Sequence, residues 1–497
     1  MSHYLGIDIG TFESKGVLVN GEGRIVASAS KPHKMLVPRA GWAEHRPRQD
    51  WWGDFTFICK KLLAESGVDP KSIRAVGASA IGPCMLPVDA SGEALSNAAL
   101  YGVDARASAE IAELNAAIGP ERILERCGNA LTSQSVGPKI LWLKKNRPEI
   151  FAKATKIVTS TTYLVQKLTC ECVIDHYSAA NFSPLYVIEK QDWSEELSAD
   201  IIAPDRLPKL LWSTDIAGHV TAKSARATGL AAGTPVIAGT IDAASEALSG
   251  GVISTGDMML MYGSTIFTIM LSKARIQDAR LWYAPWLFPG EHASMAGLST
   301  SGTLTHWFRN HAARDLDPDD AFAVLAREAE ASPPGARGVV TLPYFSGERT
   351  PIHDPDAKGV IFGLNLTHGR GDLYRSLLEG IAFGSNQILE TYDMIGEPPN
   401  TLFAVGGGTK NAVWAQATSD VSGRPQTLRK KTVGACYGDA FLAALAVGDV
   451  RRKDILDWNP VERRIAPRKQ HRAIYEKQYR VFKELYSRTK DLMAELS

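Results

Sequence analysis

Residues 6–26, "GIDIGTFESKGVLVNGEGRIV", place Asp8, Gly10, Thr11 and Lys15 in a tight turn between two apolar, β-branched runs. Gly accepts positive φ, and Asp or Thr can bond their own backbone, so the stretch taken alone reads as a hairpin with a polar turn. A second reading fits the same residues. Backbone N–H groups, a hydroxyl and a cation can face a phosphate, with the acid holding a metal or its water shell.

Beyond the turn, "HYLGIDIG", "KGVLVN" and "RIVASAS" read as strands, with Asn20-Gly21 where a hairpin turn is expected. A helical stretch, "WWGDFTFICKKLLAESG", and a further strand, "IRAVGASAI", come next. Three strands, a helix and a strand predict a mixed α/β sheet and not a βαβ series. The same opening recurs at residues 258–272, "MMLMYGSTIFTIMLS", where Gly263, Ser264 and Thr265 form the turn. Gly250-Gly251, just before it, offers a hinge. The chain therefore divides into an N-terminal domain, 1–250, and a C-terminal domain, 251–497, built on a shared plan without extended internal identity.

A chain of 497 residues is too long for one ordinary domain. Its 45% apolar and 22% charged composition is that of a globular protein with a sizeable core. Fifty-five basic and fifty-four acidic side chains nearly cancel, which leaves no overall field for nucleic acid or an anionic membrane. No basic-then-apolar leader or membrane-length run is present, so the cytoplasm is the expected compartment. The six cysteines resemble neither a disulfide framework nor a zinc site and read as reduced thiols.

Three further stretches can carry chemistry. "AVGGGTKNAVWAQ" puts Gly406, Gly407 and Gly408 between a strand and a helix, where a ligand can approach the backbone and free N–H groups. A nucleotide contact is expected there, with Asn411 placed to bond a base or ribose. "VIAGTIDAASEALSGG" sets Asp242 at the head of a small-residue helix, as a helix cap or as a base that takes a hydroxyl proton. "GWAEHRPRQDWW" and "YGVDARA" gather Trp42, Glu44, Tyr101, Asp104 and Arg106, either a core cluster or a site for a polyhydroxylated ligand. Neither G-x-x-x-x-G-K-[ST], nor G-x-G-x-x-G after a strand, nor the protein-kinase motifs occur. No His/Cys/Asp cluster has metal spacing, so any metal should arrive with the nucleotide.

In this order the motifs resemble the FGGY carbohydrate kinases of the actin-like ATPase superfamily, over roughly residues 4–450. "GVIFGLNLTHGRGDLYRSLLEG", 359–380, closely follows the family's long C-terminal signature, and "SVGPKILWLKKNRPEIF" and "YFSGERTP" also look like family segments. The resemblance implies two ribonuclease H-like α/β domains with the active site in a cleft between them. It also implies phosphorylation of a primary hydroxyl of a small ketose, pentulose-like, or a polyol, with ATP and Mg²⁺. Asp242 matches the general base and a possible metal ligand, and Asp8 the group that holds the hydrated metal. Gly10, Thr11 and Lys15 match the first phosphate loop, and Gly263, Ser264 and Thr265 the second. Gly302 and His306 in "STSGTLTHW" fall on the nucleotide side, and Gly406, Gly407, Gly408 and Asn411 match the adenosine corner.

On the sugar side, Asp104 and Arg106 match a Trp-x-x-Asp-x-Arg segment whose Trp is here Tyr101. Xylulose kinases read Gln-Met-His and glycerol kinases Gln-Arg-Glu beside the substrate. This chain has Ile81, Gly82 and Pro83, which lack those polar side chains. A tetrulose, tetritol or aldonate is therefore an alternative acceptor, and a sugar-sensing switch ATPase an alternative class. Relatives are often dimers, so a homodimer is implied.

Overall fold

Within residues 2–496, which the computed structural model of the protein describes, the opening stretch forms two antiparallel strands, His3–Ile9 (β1) and Glu13–Asn20 (β2). Ile25–Pro32 (β3) returns antiparallel to β2. After the helix Asp54–Ser66 (α1), Ile73–Ala80 (β4) runs parallel to β1 on its other side. Ile216–His219 (β5), Pro235–Ile237 (β6) and Thr240–Ile241 (β7) complete the sheet. Its order is β5-β6-β4-β1-β2-β3, with β7 also on β4.

Both faces of this sheet are covered, which is why β1 and β4 are buried almost throughout and read as unbroken apolar runs. Ile58 and Leu62 of α1 pack against Ile7 and Gly16 on one face. Alternation along β1 sends the adjacent residue, Gly6, to the opposite face. A Cβ on Gly6 would lie 1.9 Å from the Cys436 carbonyl oxygen, and one on Gly77 2.2 Å from that of Asp439. The helix Ala435–Ala446 therefore rests directly on backbone, and only glycine permits that approach.

This contact decides how the chain divides. One compact unit comprises the chain up to Ile253 with Lys273–Ala293 and Val433–Pro460; the other comprises Ser254–Ser272, Ser294–Thr432 and the chain from Val461. A single division at residue 250 assigns all of 251–497 to one domain. In the structure, Lys273–Ala293 and Val433–Pro460 both belong with the first unit, the latter because a small-residue helix fits the glycine-lined face of β1 and β4.

The second unit opens with Asp257–Tyr262 (β8) antiparallel to Ile266–Ser272 (β9), followed by His292–Leu298 (β10). Thr401–Val405 (β11) runs parallel to β8, Gln426–Arg429 (β12) parallel to β11, and Val461–Ile465 (β13) antiparallel to β12. Six of the seven strands of this sheet, in the order β10-β9-β8-β11-β12-β13, repeat the plan of the first unit. The helices Asp242–Gly250 (α2), Gly302–Ala312 (α3), Ala321–Ala331 (α4), Arg370–Met394 (α5) and Ala412–Ser422 (α6) complete what positions the site. No helix among the described residues is long and apolar enough to cross a membrane.

Candidate active site

In the first unit, three parallel strands end level. Asp8 of β1 and Thr240 of β7 both pair with Ser79 of β4, and Ile9 and Ile241 both pair with Ala80. The chain leaving each strand therefore emerges along one edge: the Gly10–Thr11 turn after β1, Gly82-Pro83 after β4, and Asp242 after β7. The carboxyl ends of parallel strands are where open α/β sheets place ligands.

Four acids gather at this edge. Asp242 opens α2, keeps part of its surface accessible, and its Oδ1 accepts its neighbour's Ala243 N–H at 2.7 Å. Desolvation pushes its carboxyl up to about 7; the Ala243 N–H opposes that, and the Glu246 charge adds to it. Glu246, one helical turn on, is itself raised by desolvation. Asp8 is pushed well above the usual carboxylate range, first by desolvation, then by Asp242, Asp439 and Glu246, against Lys15. Asp439 is fully buried and accepts the hydroxyls of Ser79 at 2.7 Å and Ser245 at 2.6 Å; burial takes it up to about 8. Acids crowded this way favour a shared proton or a cation, and the oxygen donors of Asp8 and Asp242 suit a hard divalent ion.

The turn itself is built for close approach. Gly10 N–H donates to the Glu13 carbonyl at 3.1 Å, and a Cβ on Gly10 would lie 2.8 Å from that oxygen. Lys15 stands opposite Asp8 in the β1–β2 register, half exposed, 3.3 Å from the Glu13 carboxylate. The Thr11 hydroxyl lies 3.3 Å from the Tyr101 hydroxyl.

The sugar-side residues divide. Tyr101 is partly accessible beside the turn, Gly82 packs so tightly that a Cβ would lie 2.9 Å from Ile241 Cγ1, and Ile81 and Pro83 are buried. Asp104 and Arg106 do not offer free groups, which corrects the expectation that they face a ligand. The Asp104 carboxylate, 0% exposed, accepts Ala43 N–H at 2.7 Å and Arg106 Nε and Nη2 at 2.8 and 2.7 Å. Arg106 also bonds Glu44 at 2.9 Å, and its guanidinium lies 4.1 Å from the Trp42 ring centroid and 5.1 Å from that of Trp142. The pair ties the Tyr101 loop to residue 43. From the other side Lys139, whose ammonium burial lowers to about 8, donates to the Leu100 and Tyr101 carbonyls.

The second unit holds a cavity of about 560 Å³, a size suited to a small-molecule ligand. Gly263, Ser264, Gly302 and His306 line it together with Gly407, Gly408 and Asn411. Gly302 N–H donates to the Gly263 carbonyl at 3.0 Å and Thr303 N–H to that of Ser264 at 3.1 Å, so α3 begins directly on the β8–β9 turn. Glu348 buttresses this junction by accepting Ser299 N–H at 2.7 Å. Thr265 and Gly406 shape the cavity without lining it. The Thr265 carbonyl closes the turn by accepting Gly263 N–H at 3.1 Å. Gly406 has φ +91° where a Cβ would lie 2.7 Å from the Tyr262 carbonyl oxygen. Asn411 caps α6 by accepting Trp414 N–H at 3.1 Å, so its side-chain oxygen is committed to the helix.

Sequence reasoning missed several residues of these two sites. Phe322, Tyr374 and Trp414 give the cavity aromatic walls and Lys410 lends it a cation, from α4, α5 and the α6 corner. Trp414 and Lys410 lie in the glycine-corner stretch and Tyr374 in the 359–380 signature, whereas Phe322 lies in neither. Glu246 was within reach, four residues after Asp242 on a helix and so on the same face. Asp439 carries only the signal of an acid among small residues in "GDAFLAALAVG".

Two sheets of one strand order, each opening on a hairpin whose turn carries glycine and a hydroxyl, make this an actin-like ATPase fold. Residues 3–249 match the N-terminal domain and 258–447 the C-terminal domain of the FGGY family of carbohydrate kinases, and the chain belongs to that family. It is an ATP-dependent kinase of carbohydrate-like acceptors. The xylulose kinase of Bacillus subtilis is 28% identical over 497 residues, spanning 99% of this chain and 98% of that protein. A gluconokinase of the same organism is 26% identical, spanning 90% and 88%. The crystal structure of a xylulose kinase from Rhodospirillum rubrum superimposes with a TM-score of 0.91 at 31% identity, over 99% of this chain and 100% of that one.

Proposed function

We propose that the enzyme transfers the γ-phosphoryl group of ATP to a primary hydroxyl of a small ketose of pentulose size. One observation supports this above the rest: Asp242, with its carboxyl at about 7, stands on the same strand-end edge as the Gly10–Thr11 turn. A carboxyl raised there by burial is a better proton acceptor than an ordinary one and can take the hydroxyl proton. As it does so, the acceptor oxygen bonds to the γ-phosphorus, the bond from that phosphorus to the β–γ bridging oxygen breaks, and ADP leaves. Gly10, Thr11 and Lys15, with the Gly263–Thr265 turn, hold the phosphates. The cavity at Gly302, His306, Gly407, Gly408 and Asn411, shaped by Gly406, takes the adenosine.

Asp8 through water, and Asp242, would hold the Mg²⁺ that accompanies ATP; when bound, that ion neutralises phosphate charge. Tyr101, Gly82 and Pro83 face the acceptor, while Asp104 and Arg106 act by fixing the Tyr101 loop. A homodimer working in the cytoplasm belongs to the same reading, and light scattering tests the assembly.

The acceptor class is where a second reading has support. Ile81, Gly82 and Pro83 bring no polar side chain to the acceptor, and one relative is named a gluconokinase, so a tetrulose, tetritol or aldonate is the second reading behind a pentulose. Mass spectrometry of products from ATP and a panel of tetroses, pentuloses, hexuloses, polyols and aldonates, with ADP release followed in parallel, decides it. A phosphorylated pentulose formed mole for mole with ADP is expected. ADP release with no phosphorylated acceptor from any panel member would overturn the kinase reading.

A further inference from the structure

Two histidines sit behind the Gly10–Thr11 turn, and phosphoryl transfer to the acceptor does not use them. His33, which comes directly after β3, lies 3.0 Å through Nε2 from the Gly10 carbonyl oxygen, and His45 lies 3.0 Å through Nε2 from that of Thr11. Both side chains are buried, and the rings meet edge to face at 4.9 Å. A carbonyl only accepts, so each contact is a hydrogen bond with the proton on Nε2. The Trp51 indole N–H donates to His45 Nδ1 at 3.1 Å, which fixes that tautomer. His33 Nδ1 lies 2.9 Å from Asp54 Oδ2, which also accepts the Ser14 hydroxyl at 2.8 Å, while the Lys31 ammonium lies 2.7 Å from Asp54 Oδ1. His33 thus faces an acceptor at each nitrogen and donates from both, and each ring is held from behind by a partner of its own.

Peptide planarity carries the consequence forward. In a trans peptide the C=O and the following N–H point in opposite directions. Drawing the Gly10 and Thr11 carbonyls back onto the histidines turns the N–H groups of Thr11 and Phe12 the other way. Neither of those N–H groups has an acceptor among the described residues, whereas Gly10 N–H is taken by Glu13. Two successive unpaired N–H groups make a donor pair for an anionic oxygen.

We propose that His33 and His45 are positioning residues of the phosphate turn: by holding two consecutive carbonyls they aim the N–H groups of Thr11 and Phe12 at the phosphates of ATP. This rests on the proposed role of the Gly10–Thr11 turn in holding phosphate. The pair acts through backbone and touches no substrate.

The test is steady-state kinetics of His33→Ala, His45→Ala, His33→Gln and His45→Gln, with melting temperatures recorded, at varied ATP and at varied acceptor. Each Ala variant should raise the KM for ATP about tenfold, the upper range for one lost hydrogen bond, and leave the acceptor KM within about twofold. Gln presents an N–H at a similar reach and should recover most of the loss. Trp51→Phe removes the donor that fixes the His45 tautomer and should give the same selective rise, which keeps the proposal testable if His45→Ala does not fold. Equal effects on both substrates, or Ala variants with unaltered ATP kinetics, would overturn it. Thr11→Ala and Lys15→Ala separate the two layers. If they leave ATP kinetics unchanged, the phosphate reading falls and this proposal with it; if they weaken ATP and the histidine variants do not, only this proposal falls.

Discussion

Asp242 must be ionised to take a proton, yet it stands among other acids where ionisation is resisted. Burial and the Glu246 charge resist ionisation, and the Ala243 N–H, donating to Oδ1 at 2.7 Å, works the other way. Asp242→Asn keeps the size and an acceptor for Ala243 N–H and removes the basicity. Turnover should fall about 10²–10⁴-fold, the range for a lost general base, with the KM for ATP little changed. A purified variant that phosphorylates its acceptor at near wild-type rate would remove Asp242 from that role. At this scale the sequence was informative where local chemistry decides: Gly10, Thr11 and Gly263 sit in turns because of what they are. It left Asp104 and Arg106 open between a core cluster and a ligand site, since spacing cannot say whether two opposite charges face a ligand or each other. His33 and Asp54 carried no signal, because 21 residues of chain separate partners that only the β2–β3 hairpin and α1 bring together.

Elements are joined by contacts of two kinds, charge and close approach, and each yields a measurable expectation. Asp54 begins α1 and ties it to β2 and to the end of β3. Burial acts to raise its carboxyl, but His33, Lys31 and Ser14 outweigh that and hold it below the usual range. A carboxyl held lower in the folded chain contributes stability that is full above its unfolded value, about 3.9, and is lost as pH falls through the folded value. Asp54→Asn should therefore cost about 1–3 kcal/mol at neutral pH and flatten the acid limb of melting temperature against pH. An acid limb identical to wild type would contradict this. Close approach governs the other face of the sheet. In Gly77→Ala, the new methyl would meet the Asp439 backbone at 2.2 Å, and backbone cannot step aside as a flexible side chain would. Urea unfolding should show a loss of about 1–3 kcal/mol, the usual result of overpacking; wild-type stability would mean that the helix Ala435–Ala446 shifts freely.

Across the whole molecule, the two units were legible as a repeated plan because each begins with the same kind of hairpin, and hairpins are local. Their true extents were not. The helix Ala435–Ala446 can be read as a helix from its composition, but its seat on β1 and β4 depends on glycines more than 350 residues earlier, at Gly6 and Gly77. A fragment of residues 1–253 should accordingly be poorly soluble, with the glycine face of its sheet uncovered. Adding residues 433–460 through a flexible linker should restore soluble material with a cooperative melt. Equal solubility and melting of the two fragments would show that the helix is dispensable to the first unit.

That seating also sets an order on biosynthesis. A ribosome releases the chain from its first residue, so the earliest strands leave the exit tunnel with one side bare and stay so until residue 446 has come out after them. In that interval nascent polypeptide presents an uncovered sheet face, so supplying a holding chaperone should raise the soluble fraction when expression is raised.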